Sequence, residues 1–280
     1  MNRCNSTNAS GTLFRAFLAK KLEFSHKVAA MNEIANVSIA NSSSWLECLT
    51  ADLPLLGALP EPVRERLLEA SRVERVAPRH ELFCGAEVPT HLHIVLSGII
   101  DLSCSYKSSE CTALMMAAGD VFMPAAALYE ERYLVSARAL TPSRILMIDA
   151  EVMRKEARKC PDLALALARV MAGQWRVALK IILDLKCRSP SQRLAAFLLR
   201  LHDAAQAGLP AEVPFSKRQL ASRIGMQPET LSRTLQTLAS NGLYLRGRQI
   251  IVTNREAAEE FCGPDPYPPA SEYELGVHAL

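Results

Sequence analysis

No run of ~18 uninterrupted apolar residues, the length a helix needs to cross a bilayer, occurs in this chain of 280 residues. That absence argues against a transmembrane helix. The N-terminus also lacks the charged, then apolar, then small layout of a secretory signal, because Arg15, Lys20 and Lys21 interrupt its apolar residues. A chain with neither device is expected in the cytoplasm, away from any membrane, with its eight cysteines held as thiols. These are Cys4, Cys48, Cys84, Cys104, Cys111, Cys160, Cys187 and Cys262; no two form a Cys-x-x-Cys pair, which argues against a zinc ribbon or knuckle. Phosphate loop, nucleophile elbow and paired metal motif are missing too, so an enzyme reading gains no support and no metal site is expected.

What is present is ordinary in bulk and uneven in detail. Apolar residues make up 49% and charged residues 22%, a composition that folds rather than staying disordered. Net charge is only +3, yet 211–255 holds seven basic residues (Lys217, Arg218, Arg223, Arg233, Arg246, Arg248, Arg255) against two acids, Glu212 and Glu229. A local excess of this kind is the footprint of a phosphate-binding surface.

Residues 1–44, rich in Asn, Ser and Ala, show no sustained period and are expected to be a flexible extension, with Met31 as an alternative start. The tail 263–280, with Pro264, Pro266, Pro268 and Pro269 close together, is expected to be disordered. From Trp45 to Arg72 the apolar residues recur at helical steps. Short runs of strand formers follow at 73–76, 80–84, 91–96, 99–104, 112–116, 133–137 and 144–148, separated by Gly85, Ser97-Gly98 and Gly119-Asp120. Their 8–12-residue spacing predicts a small β barrel or sandwich. This first domain is assigned to 45–160.

Pro161, which fits the first turn of a helix, opens a helical domain at 161–188. Leu167, Val170, Met171, Gln174, Val177, Ile181 and Leu185 form a narrow stripe along it, close to a coiled-coil seam. Such a helix is expected to pair with its own copy, so this stripe is assigned to a homodimer interface. Ser189-Pro190 starts a new helix and a domain at 189–262.

Within that domain Ser216 can cap a short helix at 217–223. Ala221 stands four residues before Gly225, and Leu231 six after it. A small residue where two helices cross, a glycine at the tight turn and an apolar plug are what a helix-turn-helix requires. A second helix begins near Gln227-Pro228. Two alternating strands around Arg246-Gly247-Arg248 then make a hairpin wing. The N-terminal part of a second helix of this kind faces base edges. Glu229, which can accept from cytosine, Arg233, which can fork onto guanine, and Ser232 are the expected base readers. Glu229 and Arg233 are also spaced to pair with each other. Lys217, Arg218, Thr230, Arg246 and Arg248 are expected to hold phosphates and position the protein on double-stranded DNA.

This order of parts resembles the Crp/Fnr family over about 53–261: a roll with Gly98 and Gly119-Asp120 at its turns, a long helix, Gln192-Arg193-Leu194-Ala195-Ala196-Phe197 and a winged helix-turn-helix. The resemblance implies an α+β fold, with an N-terminal cyclic-nucleotide-binding-like β-roll, a long dimerisation helix and a C-terminal winged helix-turn-helix. Glu229-Thr230-Leu231-Ser232-Arg233 resembles the Fnr-type recognition helix, as in FixK- or NnrR-like members without iron–sulfur cysteines. That implies a dimeric regulator of TTGA-type palindromes. It would recruit or block RNA polymerase, with activation the first expectation, at promoters of oxygen, nitrogen-oxide or nitrogen metabolism.

The sensory half departs from the family's known chemistries. Cyclic-AMP binders carry Gly-Glu and Arg-Ser/Thr where this chain has Met123-Pro124 and Val135-Ser136, so cyclic AMP is not expected. Cys4 stands alone, so an N-terminal iron–sulfur cluster is not expected either. Met123 and Ala125 replace the Cys and His of the haem-binding member. Haem or a metal at His91 and His93, with Cys84 nearby, and a redox role for Cys187 remain as alternatives; the first expectation is a regulator without cofactor, its activity set by abundance.

Overall fold

A computed structural model describes residues 53–106, 109–205 and 210–264. The expected extension 1–44 and all but the first two residues of the tail 263–280 lie outside them. The chain divides into two compact units, one ending at Val177 and the other starting at Ala178.

The first unit opens with helix α1 (Glu61–Glu69), with Pro60 as its N-cap residue. Strands β1 (Ser71–Val76), β2 (Glu81–Phe83), β3 (His91–Ser97), β4 (Ile99–Tyr106), β5 (Ser109–Ala117) and β6 (Val121–Phe122) follow. After helix α2 (Pro124–Tyr129) come β7 (Ser136–Ala139) and β8 (Ser143–Asp149), then helix α3 (Ala150–Lys159) and helix α4 (Pro161–Cys187), whose residues from Ala178 on belong to the second unit. The strands form two antiparallel four-stranded sheets, β1-β8-β3-β6 and β2-β7-β4-β5. This is the β-roll that the family resemblance implies, where the strand spacing alone predicts a small barrel or sandwich.

Strand β3 explains the layering. Five consecutive residues, Leu92 to Leu96, are buried, because each face of this central strand meets a different core. Leu92, Ile94 and Leu96 join Val63 and Leu67 of α1, Met153 of α3 and Leu163, Leu167 and Val170 of α4. Val95, one pleat over, packs between the sheets with Phe83, Ile100, Met116, Phe122 and Ile145. Gly98 makes the β3–β4 turn at φ +89°; a Cβ there would come within 2.7 Å of the Pro142 carbonyl and 2.8 Å of Ser143 Cα. Backbone on both sides cannot yield, so only glycine fits.

Some elements differ from the sequence expectation. The strand expected at 133–137 forms at Ser136–Ala139, because Tyr133 is used otherwise: its ring stacks on Phe83 at 3.7 Å, and its backbone bonds to Ala86 and Glu87. Strand β6 and helix α2, two and six residues long, are too short to impose a period.

The stripe assigned to dimerisation also falls differently. Leu167 and Val170, 1% and 2% exposed, are in the core of their own unit, and Val177 packs against it. Gln174 donates from Nε2 to the Val121 carbonyl. Met171 and Ile181 are half-buried, and Leu185 is exposed. The outward face instead carries Leu165, Ala168, Ala172, Trp175, Leu179 and Ile182, all exposed. Their steps of three and four residues are those of a heptad seam. The helix has two apolar stripes, and Leu167, Val170 and Val177 of the assigned one pack on the roll.

His93 points between the sheets, 4% exposed, its ring against Phe122 (5.0 Å) and Phe83 (5.4 Å). Burial pushes its pKa down to about 3, with His91 and Arg72 adding to the shift. The unfolded chain therefore takes up a proton at this site below pH ~6.5 that the folded chain refuses. Stability contributed by neutral His93 is full above that pH and falls toward pH 3, by at most about 1.4 kcal/mol per pH unit. A His93→Phe variant should show a shallower acid limb than the parent in urea unfolding across pH 6.5–4.5; parallel limbs would refute this.

Candidate nucleic-acid interface

The second unit holds the expected helix-turn-helix. Helix α5 (Pro190–Ala204) starts on a capping box in which Ser189 and Gln192 satisfy each other's backbone N–H. Helix α6 (Lys217–Ile224) repeats the device with Ser216 and Gln219. Gly225 ends α6 in the left-handed conformation, φ 72°, with its N–H donating to the Ala221 and Ser222 carbonyls. A Cβ on Gly225 would make only ordinary contacts; the backbone angle, rather than space, calls for glycine here.

After this turn Pro228 begins helix α7 (Pro228–Ser240). Leu231, Thr234 and Leu238 are buried, and Ala221 of α6, 0% exposed, lies in the same unit's core. Thr234 satisfies its hydroxyl on the Thr230 carbonyl. With these positions turned inward, Glu229, Thr230, Ser232, Arg233, Gln236 and Thr237 are exposed. Glu229, Ser232, Arg233 and Gln236 stand at i, i+3, i+4 and i+7, one face of a helix. No ion pair joins Glu229 to Arg233 among the described residues, so both side chains are available to a ligand.

The wing is β9 (Leu243–Arg246) paired with β10 (Gln249–Val252), widened by a bridge from Glu212 to Gln249. Helix α8 (Arg255–Cys262) closes the unit. Lys217, Arg218, Arg246 and Arg248 are all exposed. Arg248 is partly committed, since its Nε donates to the Val213 carbonyl at 2.9 Å. Arg246 lies 5.9 Å from the Tyr244 ring centroid, which steers the guanidinium along the wing.

Not every cation of the basic segment is free for phosphate. Arg255 clamps Asp203 through both terminal nitrogens and Glu259 through Nε; these bonds raise its pKa and tie α8 to α5. Arg223 stands over Phe197 at 5.8 Å. The exposed positive charge therefore concentrates on α6, on Arg233 of α7 and on the wing.

One structural residue was not assigned a role from sequence. Arg193 donates from Nε to the Ile224 carbonyl (3.1 Å) and from Nη1 to the Arg188 carbonyl (2.9 Å). It thus fastens α5 to the last turn of α6, just before the Gly225 turn. Its only signal in the sequence is its place beside Gln192, whose Nε2 donates to the Phe261 carbonyl. Cys187 is exposed at the end of α4. His91 Nε2 lies 2.7 Å from Arg72 Nη1 and its Nδ1 2.8 Å from Thr90 Oγ1, while Cys84 Sγ bonds Glu81. No group of three or more metal-ligating side chains occurs among the described residues.

Comparison with known proteins agrees with this division. Residues 73–160 match a cyclic nucleotide-binding domain, and 192–261 a Crp-like helix-turn-helix domain. The chain is 28% identical to "Probable transcriptional regulator flp" of Lacticaseibacillus casei over 214 residues, 76% of this chain and 97% of that protein. It is 31% identical to the fumarate and nitrate reduction regulatory protein of Yersinia pestis over 132 residues, 45% of this chain and 53% of that one. This second match therefore spans about half the regulator's length. Among solved structures, FixK2 of Bradyrhizobium japonicum superposes with a TM-score of 0.61 at 21% identity, covering 69% of this chain and 98% of that one. No helix among the described residues is long and apolar enough to cross a membrane.

Arg193→Met should destabilise the second unit by about 2–3 kcal/mol, the cost of losing charge-assisted bonds to two carbonyls. Urea unfolding followed by far-UV circular dichroism would show it; an unchanged midpoint would remove Arg193 from this role.

Proposed function

The chain belongs to the Crp/Fnr family of DNA-binding transcription regulators, and we propose that it acts as a homodimer reading TTGA-type palindromes, one half-site per protomer. The observation that carries this reading is the exposed, unpaired row Glu229, Ser232 and Arg233 on one face of α7. Arg233 forks onto guanine and Glu229 accepts from a cytosine amino group, while Ser232 serves either base. Thr230, Lys217, Arg218 and the wing arginines Arg246 and Arg248 hold phosphates and set the register without reading sequence.

The dimer is formed by the outward seam of α4. Leu165, Trp175, Leu179 and Ile182, between 42% and 65% exposed in the single chain, follow heptad spacing and find their partner in a second copy. Two-fold pairing of the protomers makes the DNA site an inverted repeat. Bound at promoters in the cytoplasm, the dimer recruits RNA polymerase as an activator. Target genes lie in oxygen, nitrogen-oxide or nitrogen metabolism, a reading supported by what the similar regulators' names record of fumarate and nitrate reduction.

Arg233→Ala should cost roughly 1–3 kcal/mol in binding a TTGA palindrome and leave binding to random DNA unchanged, as read by gel shift. Lys217→Ala should instead weaken both equally and lower the salt slope by about 1. An affinity of Arg233→Ala for the TTGA palindrome at the parent's level would overturn the assignment. Trp175→Lys should weaken the dimer by at least ~2 kcal/mol, near thirtyfold in dissociation constant, in sedimentation equilibrium; a dimer of parental strength would move the interface elsewhere.

A further inference from the structure

Two cysteines of the roll face each other across adjacent strands. In the β4–β5 hairpin, Cys104 is the direct antiparallel partner of Cys111. Directly opposed residues have Cα atoms about 4.5–5.5 Å apart and side chains on the same face, inside the ~4.4–6.8 Å span of disulfides. Both residues are exposed and unoxidised.

The register that aligns them is not automatic. Leu102 pairs with Leu114, but Ser103 pairs with Thr112, so Ala113 is an extra residue on β5. Without this bulge Cys104 would face Thr112, and the thiols would lie one position apart. Packing gives no reason for the pair, since buried cysteine serves as a small hydrophobe and these two are at the surface.

We propose that Cys104 and Cys111 are a redox-active dithiol that closes to a cross-strand disulfide in the folded protein by exchange with a low-molecular-weight disulfide such as oxidised glutathione. The Cys104 thiolate attacks one sulfur of the oxidant, forms a mixed disulfide and releases one thiolate. The Cys111 thiolate then attacks Cys104 Sγ and expels the second. The protein loses two protons and two electrons, and the oxidant leaves as two thiols. Burial and then the neighbouring Cys104 hold the Cys111 thiol above its ordinary value. Converting Cys104 to the mixed disulfide removes the second of these causes, which favours the closing step. The other exposed cysteine of the roll is unsuited to compete: its bond to the Glu81 carboxylate pushes the Cys84 thiol up to about 11. Product and reactant differ by a covalent tie between β4 and β5, so the roll carries a reversible record of thiol redox state. This inference stands on the first unit alone and is independent of the DNA reading.

The test uses the full chain under native conditions, incubated with oxidised glutathione, blocked with N-ethylmaleimide and analysed by intact mass and tryptic mapping. Trypsin cuts after Lys107, so Cys104 and Cys111 fall on separate peptides joined only by the disulfide. The expected result is the loss of two blockable thiols, a mass lower by two hydrogens, and a linked pair of peptides that dithiothreitol separates. Cys84→Ser should keep the link and Cys104→Ser should lose it. In Cys111→Ser the mixed disulfide at Cys104 should persist unresolved. Glutathione retained separately on both cysteines of the parent, no reaction at either, or a link that appears only after denaturation would each overturn the proposal.

Discussion

Helix α4 is apolar on two faces, and the rest of the molecule depends on how each face is satisfied. Leu163, Leu167 and Val170 complete the core beneath β3, and Gln174 fixes the helix further by its bond to the Val121 carbonyl. Once these residues point inward, helical geometry leaves no freedom in what points outward. Leu165, Ala168, Ala172 and Trp175 face away from the roll, and Leu179 and Ile182 continue their heptad spacing. A seam of this length, with a tryptophan 65% exposed at its middle, is costly to leave in water. The roll therefore fixes which face of α4 is turned outward.

The DNA-binding unit is held by a different kind of interaction. Its small apolar core, with Leu194, Leu198, Leu220, Leu231 and Leu238 among its buried residues, is supplemented by arginines spent on backbone carbonyls and carboxylates. Arg193 on Ile224 and Arg188, Arg248 on Val213, and Arg255 on Asp203 and Glu259 brace helix ends and the wing. The segment's basic character is thus divided between structural and exposed cations. The exposed ones lie on α6, α7 and the wing, where the proposed duplex contact is made.

Much of this was legible in the sequence where chemistry constrains the backbone locally. Ser189-Pro190, Ser216, Gly225 and Pro228 carry capping and turn requirements that hardly depend on the rest of the fold, and the helices begin and end at them. The strands at 91–96 and 144–148 were readable from β-branched and apolar runs. The inner and outer stripes of α4 were not separable, because each is apolar at heptad steps and only the position of β3 tells them apart. Facing of Cys104 and Cys111 was invisible for a related reason: a single bulge residue, Ala113, sets the register. Likewise His91 and His93 alternate as expected, but the aromatic packing that buries His93 involves Phe83 and Phe122, distant in sequence.

In the proposed function two copies of α7, related by a two-fold axis, read the same short sequence twice. Selection of bound duplexes from a random pool by the intact protein tests it directly. The expected product is an inverted repeat of TTGA-type half-sites, with centres one helical turn apart, about 10 base pairs. A pool that converges on a single unrepeated element, or on half-sites without the TTGA pattern, would contradict it.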